Sequence, residues 1–362
     1  MAAAVFLVVA GLAALYQGGN ALVGGATGIA QKLGVSPLVV GLTIVAFATS
    51  APEMAVSVIA SLRDSSDIAV GNVLGSNIFN TLIAVGAVAV IRPITVHPVV
   101  FRSEIWICLA ATGVVGVFAY TGGTIVRWEG GVLLALLGGY LVRAVLLARN
   151  VGGVQPEEED VELNRFAALV TAGAAVAAYF LRECTNSALF LPALAVLTLF
   201  NALRYRRRPG MAARTAAVVL GLGMLITGSE ALVEGATTLA YAAGISEATV
   251  GLTVVAIGTS APELATGILA ARKGQSDIGV GNALGSNIFN LLAVLGVAAL
   301  ILPLPVAENF LREDIWVAVA AVLILLVAKL TGGVLGRGLG AAMTLAWVAY
   351  TALLIIEEST VP

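Results

Sequence analysis

A single offset organises this chain. The segment GLTIVAFATSAPE at residues 41–53 returns as GLTVVAIGTSAPE at 251–263, and GNVLGSNIFN at 71–80 returns as GNALGSNIFN at 281–290. Both pairs lie 210 residues apart, and the register persists outward: Pro93 pairs with Pro303, Arg102 with Arg312, Trp106 with Trp316, and GNALVGGAT (19–27) with SEALVEGAT (229–237). The chain is therefore a duplication. Each copy carries one glutamate, Glu53 or Glu263, inside an apolar stretch.

That apolar setting extends over the whole chain. Of its 362 residues 59% are hydrophobic and 11% charged, against about 25% charged in an ordinary soluble protein. The mean hydropathy of +1.02 is spread along the chain and excludes a soluble fold. An all-α polytopic membrane protein is expected. The two cysteines, Cys108 and Cys184, lack metal spacing and read as buried free thiols. His97, the only histidine, falls in a short loop beside Pro98 and has no company for a metal site. The first residues, MAAAVFLVVAGLAALY, lack a basic flank and read as a first span, not as a signal peptide.

With about 20 apolar residues per span, the first five are placed near 2–24, 37–60, 68–91, 103–121 and 127–148. The repeat puts the last five near 212–234, 247–271, 278–301, 313–331 and 337–356. Three parts result: a first transmembrane repeat (1–148), an acidic linker with an extra helical hairpin (149–211), and a second repeat (212–362). The hairpin rests on two short apolar runs, near 165–181 and 185–203, and brings the total to twelve spans. With the N-terminus outside, 15 Lys and Arg fall on the cytoplasmic side and 4 on the outer side, a bias strong enough to set the orientation; a cell (inner) membrane location is expected. Equivalent helices then start seven spans apart, an odd number, so the two five-helix repeats are inverted in the membrane. That is an architecture of alternating-access carriers.

The repeated motifs carry the chemistry. Pro52 has no N–H and its ring crowds the carbonyl of Ala48; Pro262 does the same to Gly258. A kink there is expected to free backbone oxygens around Ala46–Thr49 and Ala256–Thr259, tolerated in hydrocarbon only toward protein, water or an ion. Thr49 and Glu53, like Thr259 and Glu263, are four apart and would project from one helix face. Carbonyls, hydroxyls and carboxylates are the ligands of hard cations such as Ca²⁺ and Na⁺. The second motif adds a polar stripe, Asn72, Ser76 and Asn80 in one copy and Asn282, Ser286 and Asn290 in the other. Its glycines, Gly71, Gly75, Gly281 and Gly285, allow close helix approach. A helix-packing reading of such a stripe suits one helix better than two matched ones that each follow a broken, glutamate-bearing span. An intramembrane carboxylate is a functional-site candidate, and two at matched repeat positions point to a transporter. Glu230 and Glu234 are weaker candidates, with uncharged counterparts Asn20 and Gly24. Asp67 and Asp277 read as helix caps, and Arg102 and Arg312 as interfacial anchors.

At these residues the sequence resembles the calcium/cation antiporter superfamily, and within it the sodium/calcium exchangers with two inverted repeats. The motifs G-T-S-x-P-E and G-N-x-x-G-S-N-I appear as ATSAPE (48–53), GTSAPE (258–263), GNVLGSNI (71–78) and GNALGSNI (281–288). The resemblance implies Glu53 and Glu263 as acidic ligands, with oxygens from Thr49, Ser50, Thr259 and Ser260 and the carbonyls of Ala46 and Ala256. Ser76 and Ser286 would complete sodium sites, and Asn80 and Asn290 would line the middle. Many relatives have an aspartate at one of these last two positions; here both are asparagine, and Ala48 replaces the usual glycine.

The expectation is an antiporter exchanging Na⁺ for Ca²⁺, with the bilayer and the transported ions as partners and no cofactor. An H⁺-coupled antiporter on the same fold is the alternative, since a desolvated glutamate can carry a proton. A channel fits inverted halves around one central site less well. An intramembrane hydrolase lacks a His, Lys or paired Asp to activate a serine, and no phosphate-loop motif is present. Nothing points to nucleic acid or an obligatory protein partner.

Overall fold

The computed structural model describes residues 1–33, 36–62, 66–150, 210–242, 256–308 and 310–360. The expected hairpin at 165–203, Cys184 and the start of the expected 247–271 span lie outside the described residues. In the first half, α1 (Ala2–Leu33) is followed by a broken span, α2 (Leu38–Thr49) and α3 (Ala51–Leu62), then α4 (Ser66–Ile91), α5 (Val100–Gly122) and α6 (Arg127–Asn150). The second half runs α7 (Met211–Ala242), α8 (Ala256–Thr259), α9 (Ala261–Arg272), α10 (Ser276–Ile301), α11 (Phe310–Thr331) and α12 (Arg337–Thr360). Among the described residues seven helices are long and apolar enough to cross a membrane, or eight with the broken pair counted as one span.

α1 continues past its expected end at residue 24 and has 32 residues. At 1.5 Å per residue it is about 48 Å long, more than the hydrocarbon core of about 30 Å, so it must tilt or project. α7 has the same length and packs along it. A methyl group on Gly18 would stand 2.7 Å from the carbonyl oxygen of Gly221, so the contact brings the two backbones directly together.

The broken spans interrupt at serine, not at proline. Ser50 leaves helical geometry (φ −79, ψ 2) and Ser260 does likewise (φ −96, ψ 7). In the first half the axis bends by 40° at the break. Pro52 and Pro262 sit second in α3 and α9, where a missing N–H costs little, so the break moves upstream to put each proline in a first turn. Neither aspartate of the SDI segments is a cap: Asp67 and Asp277 fall in the first turns of α4 and α10, and the residue capping α10 is Gln275, whose side chain makes no capping bond and accepts from the Thr27 hydroxyl instead. There their charge complements the helix dipole. π-helical turns recur at matched places, Asn80–Val85 with Asn290–Val294 and Val100–Glu104 with Phe310–Asp314.

Four short strands test the inversion. β1 (Ile94–Thr95) precedes α5 and β2 (Thr124–Ile125) follows it; β3 (Leu304–Pro305) and β4 (Val334–Leu335) bracket α11 in the same way. β1 pairs with β4, and β2 with β3. The start of α5 therefore shares a side with the end of α11, its repeat counterpart. The two halves are inverted, as the charge count implied. α4 and α10 are buried at the centre, while α5, α6 and α11 turn large apolar side chains outward. Trp106, Trp128 and Trp316 are exposed among them, as in an interfacial aromatic belt.

Candidate cation-binding site

The two breaks deliver the glutamates to the interior. Glu53 stands in the first turn of α3 and Glu263 in that of α9; both are buried, and close enough to repel each other. Ser260 Oγ donates to Glu53 Oε1 at 3.4 Å, and the Ser76 hydroxyl lies against the same carboxylate. The hydroxyls of Thr49 and Ser286 face Glu263. Glu53 Oε2 and both Glu263 oxygens nevertheless accept no hydrogen bond. Each glutamate is attended by one hydroxyl from its own repeat, Ser76 or Ser286, and by one that crosses from the other, Ser260 to Glu53 and Thr49 toward Glu263. The expected pairing of Thr49 with Glu53 on one helix face is lost because the helix is interrupted between them at Ser50.

Thr49 ties α2 to α10. Its Oγ1 donates to Asn282 Oδ1 at 3.0 Å and lies 3.1 Å from Ser286 Oγ, which also reaches the Ala46 carbonyl at 3.4 Å. That carbonyl keeps its helical donor, Ser50 N–H at 3.0 Å, so it is not freed by Pro52; the carbonyl four residues before Pro52, Ala48's, accepts a backbone N–H at the helix end instead. Ser50 Oγ is buried and unbonded. On α8, whose described residues run from Ala256, Thr259 is half-buried. Gly285 makes the α2–α10 contact possible, since a Cβ there would lie 2.7 Å from that of Ala46 and 2.8 Å from the Leu42 carbonyl oxygen.

The expected stripe divides. Asn72 serves packing: its Nδ2 donates to the Glu53 carbonyl at 3.2 Å and to Ser57 Oγ at 3.0 Å, joining α4 to α3. Asn80 and Asn290, both fully buried, open the matched π turns and send their side-chain nitrogens to the opposite repeat. Their partners are Asn287 Oδ1 at 3.3 Å and Asn77 Oδ1 at 3.1 Å. Asn80 Oδ1 and Asn290 Oδ1 are left buried without donors. Asn77 and Asn287 escaped the sequence reading because they lie one position off the four-residue stripe. Their signal was present, as both are the asparagine of the repeated GSN. Glu230 and Glu234 are exposed on α7.

Buried acids also lie outside this cluster. Glu104 on α5 takes Arg143 Nη1 at 2.7 Å and Ser103 Oγ at 3.1 Å, and Tyr140 lies beside it. Its repeat counterpart, Asp314, accepts from the hydroxyl of Tyr350, the counterpart of Tyr140. Among the described residues no three His, Cys, Asp or Glu side chains converge, so the two central glutamates supply the negative charge of the central cluster.

Two inverted halves whose interrupted helices bring paired carboxylates together at the centre define a secondary transporter of the inverted-repeat class. Comparison with known proteins names the family: its model, the sodium/calcium exchanger protein, matches residues 3–146 and 214–356, and the chain belongs to that family. It is 35% identical over 357 residues to the putative antiporter CaxA of Alkalimonas amylolytica, covering 98% of this chain and 99% of that one. It is 31% identical over 348 residues to the sodium/calcium exchanger MaX1 of Methanosarcina acetivorans, covering 96% and 97%. The solved structure of the sodium-calcium exchanger NCX_Mj soaked with Na⁺ and Sr²⁺ superposes with a TM-score of 0.71 at 28% identity, over 99% of each chain. The family is one of exchangers and not of enzymes. The chain is an integral membrane cation antiporter.

Proposed function

We propose that this chain exchanges Na⁺ for Ca²⁺ by alternating access at the cluster between α2, α3, α4, α8, α9 and α10. The observation that carries this reading is a set of five buried oxygens without donors: Glu53 Oε2, both Glu263 oxygens, Asn80 Oδ1 and Asn290 Oδ1. Five unpartnered acceptor oxygens in a low-dielectric interior are costly unless a cation occupies the space beside them. Two carboxylates neutralise one Ca²⁺, or hold several Na⁺ with the neutral oxygens of Thr49, Ser50, Thr259, Ser260, Ser76 and Ser286 and the carbonyls of Ala46 and Ala256. The two loads then compete for the same ligands, which couples them. Residues 1–148 and 212–362 act as the two moving halves, joined through 149–211, with the N-terminus outside the cell membrane.

The test is ⁴⁵Ca²⁺ uptake into proteoliposomes under an imposed Na⁺ gradient, with an imposed H⁺ gradient in parallel. Uptake driven by Na⁺ is expected. Uptake driven by H⁺ alone would replace sodium as the coupling ion.

A further inference from the structure

We propose that Asn77 and Asn287 are positioning residues that fix which end of Asn80 and Asn290 meets the transported cation. The inference rests on the reading of Asn80 and Asn290 as part of the cation site. Asn77 Nδ2 donates to the backbone carbonyl of Asn287 at 3.1 Å, and Asn287 Nδ2 donates to that of Asn77 at 3.3 Å. A backbone carbonyl can only accept, so neither side-chain amide can be turned over.

Each Oδ1 is thereby committed to its other neighbour. Asn77 Oδ1 faces Asn290 Nδ2 at 3.1 Å, and Asn287 Oδ1 faces Asn80 Nδ2 at 3.3 Å. Two amide oxygens cannot face each other, so Asn80 and Asn290 must present nitrogen to this clamp and oxygen away from it. Those two oxygens are the buried, unbonded Oδ1 atoms of the cluster. Thr81 reinforces one side: its Oγ1 accepts from Asn287 Nδ2 at 2.8 Å while donating to the Asn77 carbonyl at 3.0 Å. The counterpart of Thr81 is Leu291, so the Asn287–Asn80 arm is the stiffer one. The clamp presets two carbonyl dipoles with their negative ends toward the ion, with nothing left to reorganise on binding.

The test is a double-mutant cycle in proteoliposomes, with Asn77→Leu and Asn290→Leu made singly and together, and folding checked by size exclusion and melting. Each single change should raise the KM for Ca²⁺ about tenfold, the scale of one buried hydrogen bond, with the maximal rate within about twofold. The double variant should be no worse than Asn290→Leu alone, because Asn77 acts only through it. Multiplying effects, about a hundredfold in the double variant, would overturn the proposal, as would an unchanged KM in Asn77→Leu. Asn287→Leu with Asn80→Leu repeats the cycle on the other arm. Should these variants fail to fold, NMR of the unsubstituted protein with ¹³C,¹⁵N-asparagine in lipid decides. The side-chain nitrogens of Asn80 and Asn290 should couple across hydrogen bonds to the side-chain carbonyls of Asn287 and Asn77, and absence of these couplings refutes the clamp. That measurement needs no transport. If the parent does not exchange Ca²⁺, the functional reading falls and the spectra still decide the clamp.

Discussion

The phenol of Tyr140 donates to the carbonyl oxygen of Leu42 at 3.2 Å, joining α6 to the π-helical turn of α2. The i→i+5 pattern of such a turn disturbs the regular supply of N–H donors to the helix carbonyls, and π turns cluster at functional sites. Leu42 lies one turn ahead of Ala46, so Tyr140 holds the half helix that carries Thr49. Tyr140→Phe removes the hydroxyl alone and strands a buried carbonyl. A loss of about 1–3 kcal/mol in unfolding stability is expected, read from melting in detergent. An unchanged melting profile would show that the bond carries no weight.

Behind Tyr140 stands the Arg143–Glu104 pair. Glu104 is fully buried, whereas the Arg143 side chain is 35% exposed. Arg143→Leu leaves a buried carboxylate without its cation and should cost about 2–4 kcal/mol, below the largest values for buried pairs because water partly screens the arginine. Adding Glu104→Gln to Arg143→Leu should recover part of that loss. No recovery in the double variant would mean that the arginine acts by packing alone.

The central glutamates should behave in the opposite sense. Glu53 and Glu263 repel each other, so Glu53→Gln or Glu263→Gln in chelator should melt no lower than the parent. Ca²⁺ at about a hundred times its Kd should stabilise the parent by about 2.7 kcal/mol and either variant by much less. Exchange should fall by about a hundredfold or more, because a divalent ion in this interior needs both charges. Near-normal uptake by either variant would remove that residue from the site.

Inversion is open to labelling at Thr95 and Pro305, equivalent positions of β1 and β3 that are both exposed. With Cys108 and Cys184 replaced by alanine, Pro305→Cys should react with an impermeant maleimide in intact cells. Thr95→Cys should react only after the membrane is opened. Reaction of both from one side would contradict the inverted arrangement and the strand pairing together.

The repeat, the central glutamates and the inversion were all legible in the residues, because duplication and positive charge leave marks that survive in one dimension. The position of the helix breaks was not. Proline identifies a weak point, but the chain relieves it upstream at Ser50 and Ser260, so that each proline falls in a first turn. The partners of Thr49 were also hidden, since helix periodicity relates a residue only to its own helix, and Asn282 lies in the opposite repeat. Near-identical motifs even took different roles. Asn72 finds Ser57 as a partner, whereas Ser57 corresponds to Gly267 in the second half, and Asn282 turns to Thr49 instead. The asparagines of GSN show the same limit, because their bonds exist only between the two copies.

The small strands carry a consequence for how such a chain can arise. Each ladder joins one strand from each half, one ladder at each end of α5 and α11. A free-standing half would leave Ile94–Thr95 and Thr124–Ile125 with unsatisfied edges, and a copy inserted the same way up could satisfy neither. A copy inserted upside down supplies both at once. Before fusion, the unit could work only as a polypeptide entering the bilayer in both orientations, which forbids a strong charge preference of its own. Joining the halves lifts that restriction: each can acquire its own flanking arginines, and divergences such as Arg143 against Leu353 become permissible.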